Sequence, residues 1–255
     1  MASRRWPCVS TAGSTAARRP GSTTTAGWNA LSEPKHIRLP MTAEDARALQ
    51  LGDTVLIDGE IVVSAGLPTY QRIAEHLASG EPLPLDLQGQ ALFHIGSYTR
   101  DTADGGLEVL YLNPTTSTRF NPLMPGIVRG LGLHAVGGKG GLDGACAEAL
   151  REVGCVYLSF PGGGCPLLSD ALRAVLDVGW REMLTHYRLV RLAVQGLGPA
   201  TVAIDAHGNS LYAQIAAQAQ QRLPQIAADM KQPPDSLRSF PPEGEVSSFG
   251  TAVRN

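Results

Sequence analysis

Three short passages hold the residues best suited to chemistry. "HAVGGKGGLDG" (134–144) sets five glycines around Lys139, one of only three lysines in the chain. "NPTTS" (113–117) groups small hydroxyl side chains, and "PGGG" (161–164) is a second bare turn. Each reads as a strand-to-helix passage, where free backbone N–H groups at a helix start can face an anion. The glycine patterns argue against a nucleotide. Gly140 follows the lysine where a phosphate loop needs Ser or Thr, and Leu133 stands where its first glycine should be. Gly162 and Gly164 lack the third glycine of a dinucleotide fingerprint, since that position is Leu167. A small carboxylate fits better, because an arginine fork, a lysine point charge and backbone amides can hold it together. Arg119 is the nearest fork. The same residues also suit a solvated helix position and tight turns, and composition does not separate the two readings.

The elements that must position these passages follow from apolar periodicity, which alternates between strand and helix spacing and predicts a mixed α/β core. "TVLIDGEIVVS" (54–64) reads as paired strands turning at Asp58-Gly59, and "PTYQRIAEHLASG" (68–80) as a helix with proline in its first turn. "ALFHIGSY" (91–98) and "LEVLYLN" (107–113) are two further strands. "PTTSTRFNPLMPGIVRGLG" (114–132) begins with hydroxyls suited to N-capping. "HAVGG" (134–138) and "CVYLSF" (155–160) read as strands around the helix "LDGACAEALREVG" (142–154). "GGGCPLLSDALRAVL" (162–176) reads as a glycine turn into a helix, and "ATVAIDAHGNSLY" (200–212) as a strand leaving by a turn at His207-Gly208-Asn209.

A chain of 255 residues with 43% hydrophobic content can bury a sizeable core, and its formal charge of -2 supplies no field for nucleic acid or an anionic membrane. No apolar run approaches the roughly 18 residues of a membrane span. Cys8, Cys146, Cys155 and Cys165 form neither a CxxC pair nor a zinc-type spacing, so a reducing, cytoplasmic setting is expected. Residues 1–32 lack Asp and Glu and are rich in Ser, Thr, Ala and Gly. That composition suits an organelle transit segment or a start placed too early, and we read it as a disordered extension. The domain is expected over 33–231, and 232–255, with two proline pairs, reads as a tail.

From about His36 to Tyr212 the chain resembles the beta region of the iron-sulfur hydro-lyases that include class I fumarases and L-tartrate dehydratases. The blocks that carry the resemblance are "PTTSTRFNP", "GGKGGL", "GGGCPLL" and "VAIDAHGNSLY", in family order and at family-like separations. The resemblance implies an α/β fold of the swivelling β/β/α type. It implies that Thr115 is the candidate catalytic base, and that Arg119 and Lys139 bind substrate. Such enzymes add water to, or remove it from, a fumarate-, tartrate- or mesaconate-like dicarboxylic acid. The family's [4Fe-4S] cluster belongs to an alpha region absent from this sequence, so an iron-sulfur alpha subunit is the expected partner and no metal is expected on this chain.

One departure from the family pattern is local. The positions of a family arginine, aspartate and histidine are here Gly66, Leu67 and Tyr70. This leaves open a second reading, a carboxylate-binding or regulatory protein without catalysis. Arg72 is expected to be structural, Asp205 and His207 to organise a turn, and His94 and His134 to be hydrogen-bonded core histidines. His76 and His186 read as ordinary helix or surface positions. Deletion of residues 1–32 is expected to leave solubility and the thermal unfolding midpoint unchanged, as scanning calorimetry of the two lengths would measure; a large loss of stability would show that the extension docks on the domain.

Overall fold

The computed structural model describes residues 33–103 and 105–231, so the readings of 1–32 as an extension and 232–255 as a tail lie outside the described residues. Its elements are β1 (Lys35–Leu39), α1 (Ala43–Ala48), β2 (Thr54–Val63), α2 (Leu67–Ser79), β3 (Ala91–Phe93), β4 (Ile95–Asp101) and β5 (Leu107–Pro114). A 3-10 turn (Ser117–Phe120), α3 (Met124–Leu131), β6 (Ala135–Gly138), α4 (Gly144–Val153) and β7 (Val156–Ser159) follow. The chain continues through α5 (Cys165–Asp170), β8 (Leu172–Gly179), a second 3-10 turn (Thr185–Tyr187), β9 (Leu189–Ile204) and α6 (Leu211–Lys231). The architecture is mixed α/β, as expected. No helix among the described residues is long and apolar enough to cross a membrane.

The two longest strands, β2 and β9, pair antiparallel from Thr54↔Thr201 to Val63↔Val190. The strand order β2-β3-β6-β7-β9, together with that pairing, closes five strands into a ring, and β1 and β8 flank it. Each long strand changes partner along its other edge. β2 pairs with β1 through Gly59 and with β3 from Val62, while β9 pairs with β8 through Val194 and with β7 from Thr201. The expected hairpin at Asp58-Gly59 is therefore corrected: the segment is one bulged strand. Asp-Gly between apolar runs is a strong local hairpin signal, but here both edges of the strand are taken by other strands. The bulge places the Asp58 carboxylate where it accepts from the Gly196 N–H at 2.7 Å. Gly59, at φ +105°, lets the backbone pass against the carbonyl of Leu39.

Side chains alternate across the strands and so divide the apolar residues into two cores. Ala91, Phe93, Ala135, Val156 and Leu158 belong to one, with Ile57 and Leu192 from the long strands. The intervening residues Leu92, Val136 and Tyr157 belong to the other, where they meet Ile73 of α2, Ile127 of α3 and Leu150 of α4. These helices start and stop where local chemistry dictates. Pro68 stands in the first turn of α2 and Gly80 ends it in the left-handed region, while Asp143 caps α4 by accepting from the Cys146 N–H.

Two further expectations change. The helix read over 162–176 is only the six residues of α5, and its second half is β8, paired with β9 from Leu172↔Val194 to Gly179↔Leu189. The open edge of β9 supplies ladder bonds that outweigh the weak helical preference of "ALRAVL". No element was expected over 213–231, where the chain forms most of α6.

Gly59→Ala is expected to destabilise the fold by ~2–4 kcal/mol, because a strained φ and a backbone collision coincide there. A Cβ at that position would lie 2.0 Å from the Leu39 oxygen. Urea unfolding of the variant measures it, and a loss under about 1 kcal/mol would show that β1 yields easily.

Candidate functional site

Strands β3, β6 and β7 are mutually parallel, so their carboxyl ends open on one side of the ring. In α/β sheets that is where ligands collect. The β4–β5 hairpin leaves after His94 and brings the chain back through the Ile95↔Pro114 pair, directly into Thr115. The returning segment is then knitted between the ends of β3 and β6. Thr115 N–H donates to the His94 carbonyl at 2.7 Å, Lys139 N–H to the Thr115 carbonyl at 2.9 Å, and Ser117 N–H to the Lys139 carbonyl at 2.9 Å. Thr116 and Lys139 form an isolated parallel bridge.

This corrects the reading of the hydroxyl passage as an open helix start. Thr116 precedes a 3-10 turn without a side-chain capping bond, and the Thr115 and Ser117 amides serve backbone carbonyls. The bareness of the Lys139 loop has a steric cause as well. A Cβ on Gly138 would lie 2.2 Å from Ser117 Oγ, 2.9 Å from His94 Cβ and 3.1 Å from the Thr115 oxygen.

The structure thus brings Thr115 and Lys139 together. Lys139 is half-buried, and its ammonium donates to the Pro114 carbonyl. Its stem runs close to the second glycine turn, where a Cβ on Gly162 would be 3.8 Å from Lys139 Cδ. Arg119 is exposed on the 3-10 turn that begins at Ser117. Arg72, Arg100, Arg129, Arg151, Arg188 and Arg191 each pair with a carboxylate; among the described residues Arg119 does not, and neither do Arg38, Arg47, Arg173, Arg181 and Arg222. The Arg119 fork is open to a ligand.

Beneath these residues lies a buried polar group that sequence reasoning left unassigned beyond a core histidine. His94 Nδ1 is 2.8 Å from Ser117 Oγ, and the Tyr157 hydroxyl donates to the same oxygen at 2.7 Å. His94 and Ser117 are both fully buried, and His94 Nε2 has no partner among the described residues. The rings of Tyr70 and Phe120 pack on the imidazole, at 5.1 and 4.5 Å between centroids. Burial lowers the His94 pKa to about 3, so the ring is neutral. Burial likewise raises the Tyr157 hydroxyl, against the weaker opposing effect of its bond to Ser117. The signal in sequence was faint: a histidine in an apolar strand and a serine two residues past Thr115.

Tyr70 is buried, with its hydroxyl donating to the Ser64 carbonyl at 3.2 Å. Gly66 lies under the ring of Tyr187, where a Cβ would be 2.4 Å from Cδ1, so no arginine enters that position unless Tyr187 moves. Arg72 is structural, paired with Glu182 at 2.6 Å and set 4.6 Å over the Trp180 ring. Asp205 organises its turn by accepting from the His207 and Asn209 amides at 3.0 and 2.9 Å. His134 departs from expectation, since its Nδ1 is buried without a partner among the described residues. His76 is half-buried on α2, its Nδ1 3.0 Å from the Pro82 carbonyl, and His186 is exposed.

A cavity of about 360 Å³ lies beside the glycine loop, between the starts of α4 and α6. Asp143 and Glu148 line it, and their charge disfavours a carboxylate there. Burial, reinforced by Asp143, pushes the Cys146 thiol up to about 12, and burial also raises Cys155, so both are neutral thiols in the folded chain. Among the described residues no three His, Cys, Asp or Glu side chains converge as a metal site.

A family model described as Fumarase C-terminus matches residues 13–215. A Methanocaldococcus jannaschii protein provisionally named L(+)-tartrate dehydratase subunit beta is 32% identical over 176 residues, covering 69% of this chain and 89% of that protein. L(+)-tartrate dehydratase subunit beta of Escherichia coli K12 is 30% identical over 180 residues, covering 71% and 87%. A Geobacillus stearothermophilus protein provisionally named fumarate hydratase class I is 34% identical over 195 residues, which are 74% of this chain but 36% of that longer protein.

The buried histidine makes stability depend on pH. The unfolded chain protonates His94 near its ordinary value of about 6.5, while the folded chain resists until about pH 3. Its contribution is therefore complete above about pH 6.5 and is lost as pH falls toward 3. Between pH 7 and pH 5 this is expected to cost about 2 kcal/mol in urea unfolding. His94→Gln, neutral throughout, should lose that slope; equal slopes in the two proteins would place the titration elsewhere.

Proposed function

The chain belongs to the fumarase C-terminus family, and from that premise we propose that it works as the beta subunit of a hydro-lyase on a fumarate-, tartrate- or mesaconate-like dicarboxylic acid. The observation that carries the reading is the knitting of Thr115 to Lys139 at the carboxyl ends of β3 and β6, beside the open fork of Arg119. In this reading 33–231 form a swivelling β/β/α domain of a cytoplasmic enzyme, a form that suits the closed ring with helices packed on its outer face.

Each residue has a distinct task. Arg119 takes a substrate carboxylate on two parallel N–H bonds. Lys139 adds a compact positive charge, which matters most when the adjacent α-carbon loses its proton and negative charge spreads onto the carboxylate. Its ammonium already has the Pro114 carbonyl as one acceptor, which aims it and leaves two N–H bonds for substrate. Thr115 is the candidate base at that carbon, its hydroxyl taking the substrate proton as it passes its own to a base or water of the assembled site. Its backbone N–H and carbonyl are both engaged, so the hydroxyl is its mobile part. The [4Fe-4S] cluster belongs to an alpha subunit in this reading, and among the described residues of this chain no three His, Cys, Asp or Glu side chains converge to hold a metal.

One observation favours a second reading, a carboxylate-binding protein without catalysis. Tyr187 covers Gly66, so the end of the site where the family resemblance implies a cation has none at that position. Activity decides between them.

The chain is to be purified alone and with its alpha partner, the cluster reconstituted anaerobically, and a panel of C4 and C5 dicarboxylates followed for hydration and dehydration. Turnover is expected only in the complex. Arg119→Ala and Lys139→Ala are each expected to lower kcat/KM about 100-fold or more, the loss typical of one charge-stabilising group. Turnover by the metal-free chain alone would overturn the shared-site reading, and binding without turnover by the complex would favour the second one.

A further inference from the structure

We propose that Ser117, held between His94 and Tyr157, is the positioning residue that fixes Thr115 and Lys139 relative to each other. The proposal rests on the hydro-lyase reading for what the two residues do, but on separate geometry for how they are held. Ser117 touches no reacting group directly; it acts through the segment it anchors.

With Tyr157 as the donor to Ser117 Oγ, hydrogen-bond counting orients the remaining protons. Tyr157 donates to Ser117 Oγ, which leaves the serine one proton and one further acceptor site. If His94 carried its proton on Nδ1, the serine oxygen would accept twice, its own proton would need another acceptor, and Nε2 would be a second unpaired atom. If instead the serine donates to Nδ1, the only unpaired group is Nε2–H. The second arrangement wastes fewer buried groups and is favoured. It yields a one-way chain, Tyr157 to Ser117 to His94, with every rotor directed.

This chain links the end of β3, the interior of β7 and the segment that returns after β5. His94 follows β3, Tyr157 lies in β7, and Ser117 sits between them in the returning segment. Between those anchors pass the Thr115 carbonyl and the Ser117 amide, which are the two backbone partners of Lys139. The Pro114 carbonyl that receives the Lys139 ammonium is in the same segment. Gly138 adds the steric half of the clamp, because only a residue without Cβ lets Ser117 Oγ descend to the imidazole. If the serine oxygen loses its partners, the segment 114–117 can shift against β6, and all three contacts to Lys139 shift with it. A displacement near 1 Å in a reacting array costs on the order of 100-fold in rate.

The test reads position and rate separately. Lys139 can be compared with Lys35, which is paired with Asp53 on β1's side of the molecule, by limiting acetylation and peptide-resolved mass spectrometry. Tyr157→Phe keeps the ring and removes the donor; Ser117→Ala removes the hub. Both are expected to raise the Lys139-to-Lys35 labelling ratio at least about threefold and to lower kcat of the reconstituted complex about tenfold, with KM changed less. Should Ser117→Ala fail to fold, Tyr157→Phe carries the test. An unchanged labelling ratio in folded Tyr157→Phe overturns the proposal, as does a variant complex whose kcat per folded molecule equals wild type. A wild-type complex that turns over none of the acids overturns the hydro-lyase reading instead, whatever the labelling ratio shows.

Discussion

Closure of the sheet by the β2–β9 ladder is the constraint on which the other features depend. Without it the seven strands would be an open, mixed sheet with two long edges, and the parallel strands β3, β6 and β7 would have no fixed curvature. With it, the interior fills with Phe93, Val156, Leu158 and Leu192 and the outer face takes the helices. Closure also demands bends in the two long strands. Glycine supplies them at Gly59 in β2 and at Gly196 and Gly198 in β9, each at positive φ where a side chain would be strained. The Asp58 carboxylate ties one set of bends to the other through the Gly196 amide.

The curvature brings the carboxyl ends of the parallel strands close enough for one short segment to bond with two of them. That segment, Pro114 to Ser117, spends the Thr115 and Ser117 amides and the Thr115 carbonyl on neighbouring backbone, and the Pro114 carbonyl on the Lys139 ammonium. What remains for chemistry is side-chain: one ammonium aimed by a carbonyl, one open guanidinium and one threonine hydroxyl. The glycines around Lys139 serve close approach, most clearly at Gly138 and at Gly141, where a Cβ would meet the Tyr212 ring at 2.9 Å.

The same logic explains the environment of Gly66. The loop carrying the second 3-10 turn lies over the start of α2, held by the Thr69 and Ser64 hydroxyls donating to the Tyr187 carbonyl. Its aromatic ring takes the volume that a longer side chain at position 66 would need. Gly66 and Tyr187 are therefore a coupled pair. A larger residue at 66 alone would clash, and a smaller one at 187 alone would leave a gap.

Much was legible from sequence because it rests on local rules. The α2 and α4 helices carry their own stop and start signals, β6 and β7 their apolar runs, and the PTT and GGKGG blocks mark the family and supply the proposed site residues Thr115, Arg119 and Lys139. The errors came where long-range pairing overrode local preference. Asp58-Gly59 looked like a turn and is a bulge, and "ALRAVL" looked helical and is β8, because β1, β3 and β9 offered ladder bonds that no local pattern announces. The His94–Ser117–Tyr157 hub was likewise invisible, its members lying 23 and 40 residues apart. Sequence by itself determined which residue types were available and the family they mark. Only the tertiary structure decided which of them share a site, since that follows from the closing of the ring, a property of strands distant in the chain.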